Sequence, residues 1–244
     1  MSNVDFGHRK VAPDEKTRLV RGVFESVAEN YDLMNDLMSF GTHRVMKRMT
    51  LEMSGVRAGD QVLDLAGGTG DLAALFAPVV GSSGTVILAD INSEMMRVGR
   101  DRLLDRGLAQ VAFCQANGEH LPFADGTFDC ITIGFGLRNF TDKVAALAEL
   151  RRVLTPGGRL LVLEFSKPEN PVIEAGYKAF QSLWPGMGRF LLGDADSYRY
   201  LVESIEVHPS QKALKLMMED AGFASVSYHN LLTGVAAIHR GVAP

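Results

Sequence analysis

Five short apolar runs alternate with amphipathic stretches between residues 61 and 165, and this alternation constrains the fold more than any other feature. The runs are rich in Val, Ile, Leu or Phe, and turn residues bound each of them, as expected of buried strands. They lie at 61–66, 85–90, 110–115, 128–134 and 158–165. Helices are predicted between them, starting near Gly70, at Asn92 or Ser93, and at Asp142. The pattern predicts an α/β fold with a mainly parallel sheet covered by helices on both faces.

The final third of the chain follows a different pattern. Helices are predicted at 172–184 and around 209–221, with a Gly- and Tyr-rich segment between them. Two strands follow near 223–229 and 235–240, and the turn at 231–234 is short enough for a hairpin. We therefore expect a seven-stranded sheet that ends in an antiparallel pair.

Residues 1–60 have apolar side chains at helical intervals, which predicts a helical cap over the strand ends rather than a separate domain. The chain has no internal repeat and no low-complexity linker. One domain is therefore expected over 1–244. Within it, 61–165 would form the core, and 166–244 the substrate-side helices and C-terminal strands.

The composition restricts the class of protein. Of the 244 residues, 46% are apolar and 22% are charged, the balance of a globular chain. The formal net charge of −4 argues against nucleic acid as a partner, because proteins that bind it carry a basic excess. No run approaches the ~18 apolar residues of a spanning helix, and the histidines and cysteines lack metal-ligand spacing. We expect a cytoplasmic protein without a metal, in which any membrane contact is peripheral, at the inner face of the membrane.

The sequence VLDLAGGTGD at 62–71 is the strongest chemical signal. An apolar strand runs directly into Gly67, Gly68, Thr69 and Gly70 and then into a helix. Glycines let the backbone turn sharply and approach a ligand closely, and a helix N-terminus offers free amide groups. In an open α/β sheet, ligands bind at such a turn at the carboxyl end of a strand. A tight structural turn is the alternative.

Dinucleotide-binding folds share these features, so the spacing decides between ligands. The motif here runs Asp64-x-Ala66-x-Gly68-x-Gly70 rather than G-x-G-x-x-G. That spacing resembles the acidic-start glycine motif of class I methyltransferases, whose methyl donor is S-adenosylmethionine. Asp90 closes the next strand, where a carboxylate can accept hydrogen bonds from both ribose hydroxyls, as it also does in NAD enzymes.

Two further strand ends extend the resemblance. Asn117 and Gly118 follow the third strand, at the position where methyltransferases of this class hold adenine. The segment 128–136, which includes Gly134, resembles their fourth strand. Four signals in this order favour S-adenosylmethionine as the cofactor and a Rossmann-like class I methyltransferase fold.

Three blocks outside the cofactor motifs are more specific. They are YDLMNDLMSFGTHR at 31–44, FGLRNFTD at 135–142 and GDADSYRYLVESIEVHPSQ at 193–211. With RVLTPGGRLLVLEFS at 152–166, they resemble the ubiquinone/menaquinone biosynthesis methyltransferase family over roughly residues 6–240. The resemblance implies methyl transfer to a ring carbon of a polyprenylated benzoquinol or of demethylmenaquinol.

A ring carbon attacks a sulfonium methyl group only when the ring is electron-rich, as in a reduced quinol. The site then needs groups that hold the oxyanion and move the proton. Arg138 and Asn139, just past the fourth strand, are the candidates for the oxyanion. Tyr31 and His43, in the cap, are the candidates for the proton. Core packing of Tyr31, a structural His43, and pairing of Arg138 with Asp142 are the alternatives.

The polyprenyl tail of such an acceptor implies an apolar channel or a membrane contact. The apolar stretch 172–192 and a basic cluster from His8 to Arg21 are candidates for it. A helix packed on the sheet and a solvated face are the respective alternatives. A homodimer and partner enzymes of quinone biosynthesis are compatible with the sequence. The competing functions are a methyltransferase of another small molecule and a non-catalytic scaffold that binds S-adenosylmethionine.

Overall fold

The structure is a computed structural model that describes residues 3–27, 31–39 and 41–244, without the side chains of residues 27, 31–33, 37, 191 and 192. Its first elements lie outside the main sheet: β1 (Val4–Phe6), β2 (Arg9–Val11), α1 (Pro13–Val27), α2 (Tyr31–Ser39) and α3 (Thr42–Ser54). The antiparallel pair β1–β2 was missing from the sequence prediction, because three-residue strands are too short to show a period.

The central part of the chain alternates strands and helices as predicted. Asn92 and Asp142 cap two of the helices, since each side chain accepts hydrogen bonds from two amides of the first turn. The last strand of this part begins four residues earlier than predicted, directly after a helix. The elements are β3 (Gln61–Leu65), α4 (Asp71–Val80), β4 (Thr85–Asp90), α5 (Ser93–Asp105), β5 (Ala112–Gln115), β6 (Phe128–Gly134), α6 (Lys143–Val153) and β7 (Leu154–Phe165).

Four helices and two strands complete the chain: α7 (Pro171–Gln181), α8 (Trp184–Leu192), α9 (Asp196–Val207), α10 (Gln211–Asp220), β8 (Ala224–Leu231) and β9 (Ala236–Val242). The sequence prediction missed α8 and α9, in the Gly- and Tyr-rich segment. A Cβ added to Gly188 would lie 2.3 Å from the ring of Tyr198, so glycine is required where these two helices pack together. None of the described helices is both long and apolar enough to cross a membrane.

The main sheet has the strand order β5-β4-β3-β6-β7-β9-β8. All neighbours from β5 to β7 are parallel, and β9 runs antiparallel to both β7 and β8. The seven-stranded sheet and its antiparallel C-terminal pair are therefore confirmed. Because the order reverses between β3 and β6, the carboxyl ends of β3, β4 and β6 border the crevice where open α/β sheets bind ligands.

The core lies on both faces of this sheet. In β3 the consecutive residues Val62 and Leu63 are both fully buried and belong to opposite faces, as expected of a central parallel strand. The predicted N-terminal helical cap lies only partly over the strand ends. Helix α3 packs against α4 and β7 on one face, while α1 lies across the strand ends.

Candidate active site

The loop 66–70 joins β3 to α4 through a left-handed backbone. Ala66, Gly68 and Gly70 have φ angles of 54°, 53° and 83°, a conformation that glycine adopts without steric cost. Helix α5 crosses close behind, since a Cβ added to Gly99 would lie 2.6 Å from the carbonyl oxygen of Gly68. Sequence reasoning missed Gly99, although an isolated glycine within a predicted helix signals close packing.

Asp90, at the end of β4, holds this loop from the side. Its Oδ2 accepts a hydrogen bond of 2.9 Å from the amide of Gly68, and its Oδ1 accepts one of 2.8 Å from the amide of Asn92. Burial raises the pKa of Asp90, and the backbone amides of Asn92 and Gly68 oppose that rise. Each carboxylate oxygen has a further lone pair, so the group can also accept from a vicinal diol such as ribose.

The main cavity lies over the carboxyl ends of β3 and its neighbours. Four of the residues predicted to hold the cofactor line it: Gly68, Asp90, Asn117 and Gly118. A Cβ added to Gly118 would lie 2.6 Å from the ring of Phe140, so a glycine is required for that ring to form the wall. Other walls are apolar, from Leu65, Ile91, Met95 and Phe135. A mainly apolar slot whose wall includes the carboxylate of Asp90 fits an adenosine group.

Helix α1 covers the main cavity, where it contributes Phe24 among other side chains. Hydrogen bonds to other parts of the fold tether this helix, and two of them lie beside the cavity. Lys16 Nζ donates to the carbonyl oxygen of Phe140 at 2.9 Å, and Asn92 Nδ2 donates to the carbonyl oxygen of Arg21 at 3.3 Å. Sequence reasoning did not single out Lys16, because its partner is distant in the chain.

A small cavity opens beside the glycine loop. Ala66 and Gly68 line both cavities, so the two meet at the loop. The predicted cofactor residues Gly67, Thr69 and Gly134 line the small cavity.

Gly70 lies behind the loop, where an added Cβ would be 2.9 Å from Leu103. The structure thus brings the predicted cofactor residues together around one loop, most of them on cavity walls and Gly70 in a supporting position.

Charged side chains set the character of the small cavity. Lys47 Nζ lies 2.6 Å from Asp71 Oδ2, and Arg102 Nη2 lies 3.2 Å from Asp71 Oδ1. Asp64 is fully buried, and burial raises its pKa to about 7. Its carboxylate accepts from the amide of Ala73 and from the hydroxyl of Thr132, while Lys47 and Asp71 also line the cavity. The small cavity is therefore polar, in contrast to the main cavity.

Comparison with known proteins gives the family. Residues 10–243 match the model of the ubiE/COQ5 methyltransferase family. The chain belongs to that family. It is 58% identical over 241 residues to the ubiquinone/menaquinone biosynthesis C-methyltransferase UbiE of Cellvibrio japonicus, covering 98% of this chain and 97% of that protein. The namesake of Teredinibacter turnerae is 58% identical over 238 residues, 97% of this chain and 96% of that one.

Solved structures show the same fold at low sequence identity. A SAM-dependent methyltransferase from Aquifex aeolicus has a TM-score of 0.63 and 18% identity, over 87% of this chain and 98% of that chain. Phosphoethanolamine N-methyltransferase 2 of Haemonchus contortus, in complex with S-adenosyl-L-methionine, has a TM-score of 0.61 and 14% identity, over 82% of this chain and 52% of that chain. The class I methyltransferase fold is confirmed, and the cofactor of this family member is S-adenosylmethionine.

Arg138 occupies a buried position in this family member. It is 5% exposed, and its Nη1 lies 2.8 Å from Glu164 Oε1, while its amide donates to Glu164 Oε2 at 3.1 Å. The same Nη1 also contacts the carbonyl oxygen of Phe135. The alternative pairing of Arg138 with Asp142 is wrong, because the Asp142 carboxylate instead caps α6. Nothing in the sequence near Arg138 signals Glu164, which lies in β7.

Asn139 stands next to Arg138 and lines the main cavity. Its carboxamide Oδ1 accepts a hydrogen bond of 3.0 Å from the hydroxyl of Tyr200, in α9. Tyr200 is buried and its ring stacks on Phe6, with the ring centroids 4.4 Å apart. Sequence reasoning missed Tyr200, although it lies within the third family block.

The two candidates from the cap differ in what the structure describes. The side chain of Tyr31 lies outside the described residues. His43 is 2% exposed, its Nε2 lies 2.8 Å from Asp36 Oδ1, and burial lowers its pKa. It lines a third, surface cavity that shares Lys47 and Asp71 with the small cavity. The structure thus places His43 on a different cavity from Asn139.

Proposed function

We propose that this protein transfers a methyl group from S-adenosylmethionine to a ring carbon of a polyprenylated benzoquinol or of demethylmenaquinol. The observation that carries this proposal is the 58% identity, over 98% of the chain, to a protein named for C-methylation in ubiquinone and menaquinone biosynthesis. The cofactor cavities and the loop 135–142 lie side by side in the fold, which supports the same reaction.

The cofactor, when bound, supplies an electrophilic methyl group. Residues around the two cavities that meet at the loop 66–70 would orient the cofactor. Asp90 would accept from the ribose hydroxyls, Asn117 and Gly118 would border the base, and the small cavity beside the loop 66–70 would hold the amino-acid end. Positioning of this kind can supply much of the rate of an in-line displacement, because it holds the acceptor carbon and the methyl group in the geometry that the reaction requires.

The acceptor ring is expected beyond Gly134, near Asn139. An amide N–H of Asn139 directed at the ring hydroxyl would stabilise the oxyanion that makes the ring carbon nucleophilic. Helix α1, tethered through Lys16 and Asn92, excludes water from the adenosine side. A dry site strengthens each of these electrostatic contacts.

Peripheral contact with a membrane would deliver an acceptor that carries a polyprenyl tail. Helices α7 and α8, with the two residues that join them, support this part of the proposal, because this segment exposes large apolar side chains. Val172 is 80% exposed, Leu183 is 58% exposed and Phe190 is 87% exposed. Lys178 and Arg189 lie on the same pair of helices and can meet anionic headgroups.

The test is methyl transfer from labelled S-adenosylmethionine to chemically reduced demethylmenaquinol and to the reduced benzoquinol, each with its oxidised form as control. We expect label on the ring carbon of at least one reduced acceptor and none on the oxidised forms. Cofactor binding without transfer to either quinol would overturn the proposal. Such a result would favour a non-catalytic scaffold or a different small-molecule acceptor.

A further inference from the structure

Lys47 is a buried cation beside the glycine loop that neither the sequence motifs nor the family match assigns. It is 7% exposed and lines the small cavity together with Gly67 and Thr69. Its ammonium group has three donors, and one of them is used at 2.6 Å on Asp71. Among the described residues, no other partner accepts from Lys47. Two donors therefore remain at the wall of a polar cavity.

The local charge balance leaves room for an anion. Lys47 and Arg102 share the single carboxylate of Asp71. That group of three carries a net charge of +1. Asp64 also lines the cavity, where it accepts from the amide of Ala73 and from the Thr132 hydroxyl. Burial raises its pKa to about 7, so at neutral pH it carries only part of a negative charge. Buried charge is costly unless it is paired, so a bound carboxylate would complete the arrangement.

The two cavities match the two ends of the cofactor. The main cavity is a mainly apolar slot with Asp90 on its wall, which suits a nucleoside. The small cavity is polar and meets the main one at Ala66 and Gly68, so a ligand that continues past the loop enters it. The part of S-adenosylmethionine that continues past the nucleoside is an amino acid, with one carboxylate and one ammonium group.

We infer that Lys47 binds the carboxylate of the amino-acid end of S-adenosylmethionine. The ion pair with Asp71 holds the Lys47 ammonium group in position for this contact. Helix α3 thereby becomes part of the cofactor site, although it lies outside the strand–helix core. The inference rests on the proposed cofactor site at the glycine loop and adds the element that discriminates the amino-acid end. It also gives α3 a function that packing on the sheet does not require.

The experiment compares two ligands that differ only in this end. S-adenosylhomocysteine contains the amino acid, and 5′-methylthioadenosine has the same nucleoside and thioether without it. Calorimetric titration of the full chain gives both dissociation constants without catalysis. In Lys47→Met we expect about ten- to a hundredfold weaker binding of S-adenosylhomocysteine, the value of a hydrogen bond to a charged group. Binding of 5′-methylthioadenosine should change by less than about twofold, since Lys47 lies outside the main cavity.

Two controls separate this function from a structural ion pair. Arg44→Met removes a positive charge from the exposed side of α3 and should leave both constants unchanged. Lys47→Met/Asp71→Asn also removes the carboxylate that the single variant leaves unpaired, and it should show the same selective loss. Thermal melting reports the fold of each variant.

Equal weakening of both ligands, or no weakening of either, would overturn the inference about Lys47. A wild-type chain that binds neither ligand would overturn the cofactor site at the glycine loop as well. A wild-type chain that binds both, with no selective loss in either Lys47 variant, would leave that site standing and remove Lys47 from it.

Discussion

The hydroxyl of Tyr200 donates a 3.0 Å hydrogen bond to Oδ1 of Asn139 and so joins α9 to the wall of the main cavity. Burial raises the pKa of the Tyr200 phenol, which keeps it protonated and able to donate. With Oδ1 occupied, the Nδ2 group of Asn139 is the end of the carboxamide that remains for the acceptor. Tyr200 is thus a positioning residue for the proposed oxyanion contact.

Replacing Tyr200 by Phe should lower kcat about two- to tenfold, the value of one hydrogen bond of about 1 kcal/mol. The dissociation constant of S-adenosylhomocysteine should stay unchanged. Tyr198→Phe is the matched control, because the Tyr198 hydroxyl is fully buried and has no hydrogen-bond partner among the described residues. Equal losses of kcat in both variants would mean that the hydroxyl of Tyr200 does not orient Asn139.

Replacing Arg138 by Ala should destabilise the fold by about 3–5 kcal/mol, because Glu164 is then left as an unpaired buried charge. Arg138→Met/Glu164→Gln should regain most of this loss in urea denaturation. If the double variant were as unstable as the single one, the ion pair would not be the cause. Loss of turnover in the stable double variant would show that the Arg138–Glu164 ion pair is needed for the reaction as well as for the fold.

Lys16 should make stability depend on pH. Burial lowers its pKa from 10.5 to about 8, and the nearby Lys143 lowers it too. Between these two values the unfolded chain binds the proton and the folded chain does not, so the free energy of unfolding rises with pH. Below about pH 8 both states bind it, and the cost of the buried charge is constant.

Lys16→Met should remove that rise. Denaturation of the variant and the wild type, at pH values from about 7 to about 10, is expected to show the wild type gaining relative to the variant above about pH 8. The carbonyl of Phe140 keeps Lys143 as a donor at 3.3 Å, which limits the damage of the substitution. A difference that stays constant across this range would contradict the pKa shift of Lys16.

Leu183→Asp/Phe190→Asp should reduce flotation with vesicles that contain anionic lipid, because the substitutions place charge on the exposed apolar surface of α8 and of the residue that precedes it. Leu216→Asp is the matched control. Leu216 lies on α10 and is 58% exposed, the same exposed fraction as that of Leu183. No flotation of the wild-type chain, or equal losses in the variant and the control, would exclude these helices as the contact.

Local patterns were sufficient for the parts of the fold that local physics determines. The strands of the core, the capping side chains of Asn92 and Asp142, and the loop 66–70 are short segments whose conformation follows from residues within one turn. The family blocks then led to the correct reaction class. Helix α8 escaped prediction because its glycines normally weaken a helix, and Gly188 is required there by packing against Tyr198 of α9.

The sequence by itself determined the parallel sheet, the glycine loop and the family of the protein, since each depends on the order of nearby residues. Only the tertiary structure decided which side chains meet. Arg138 meets Glu164, Asn139 meets Tyr200, and Lys47 reaches the small cavity. The physical reason is that a buried polar group takes whichever partner the packing of distant elements brings within hydrogen-bond distance, and no local pattern encodes that distance.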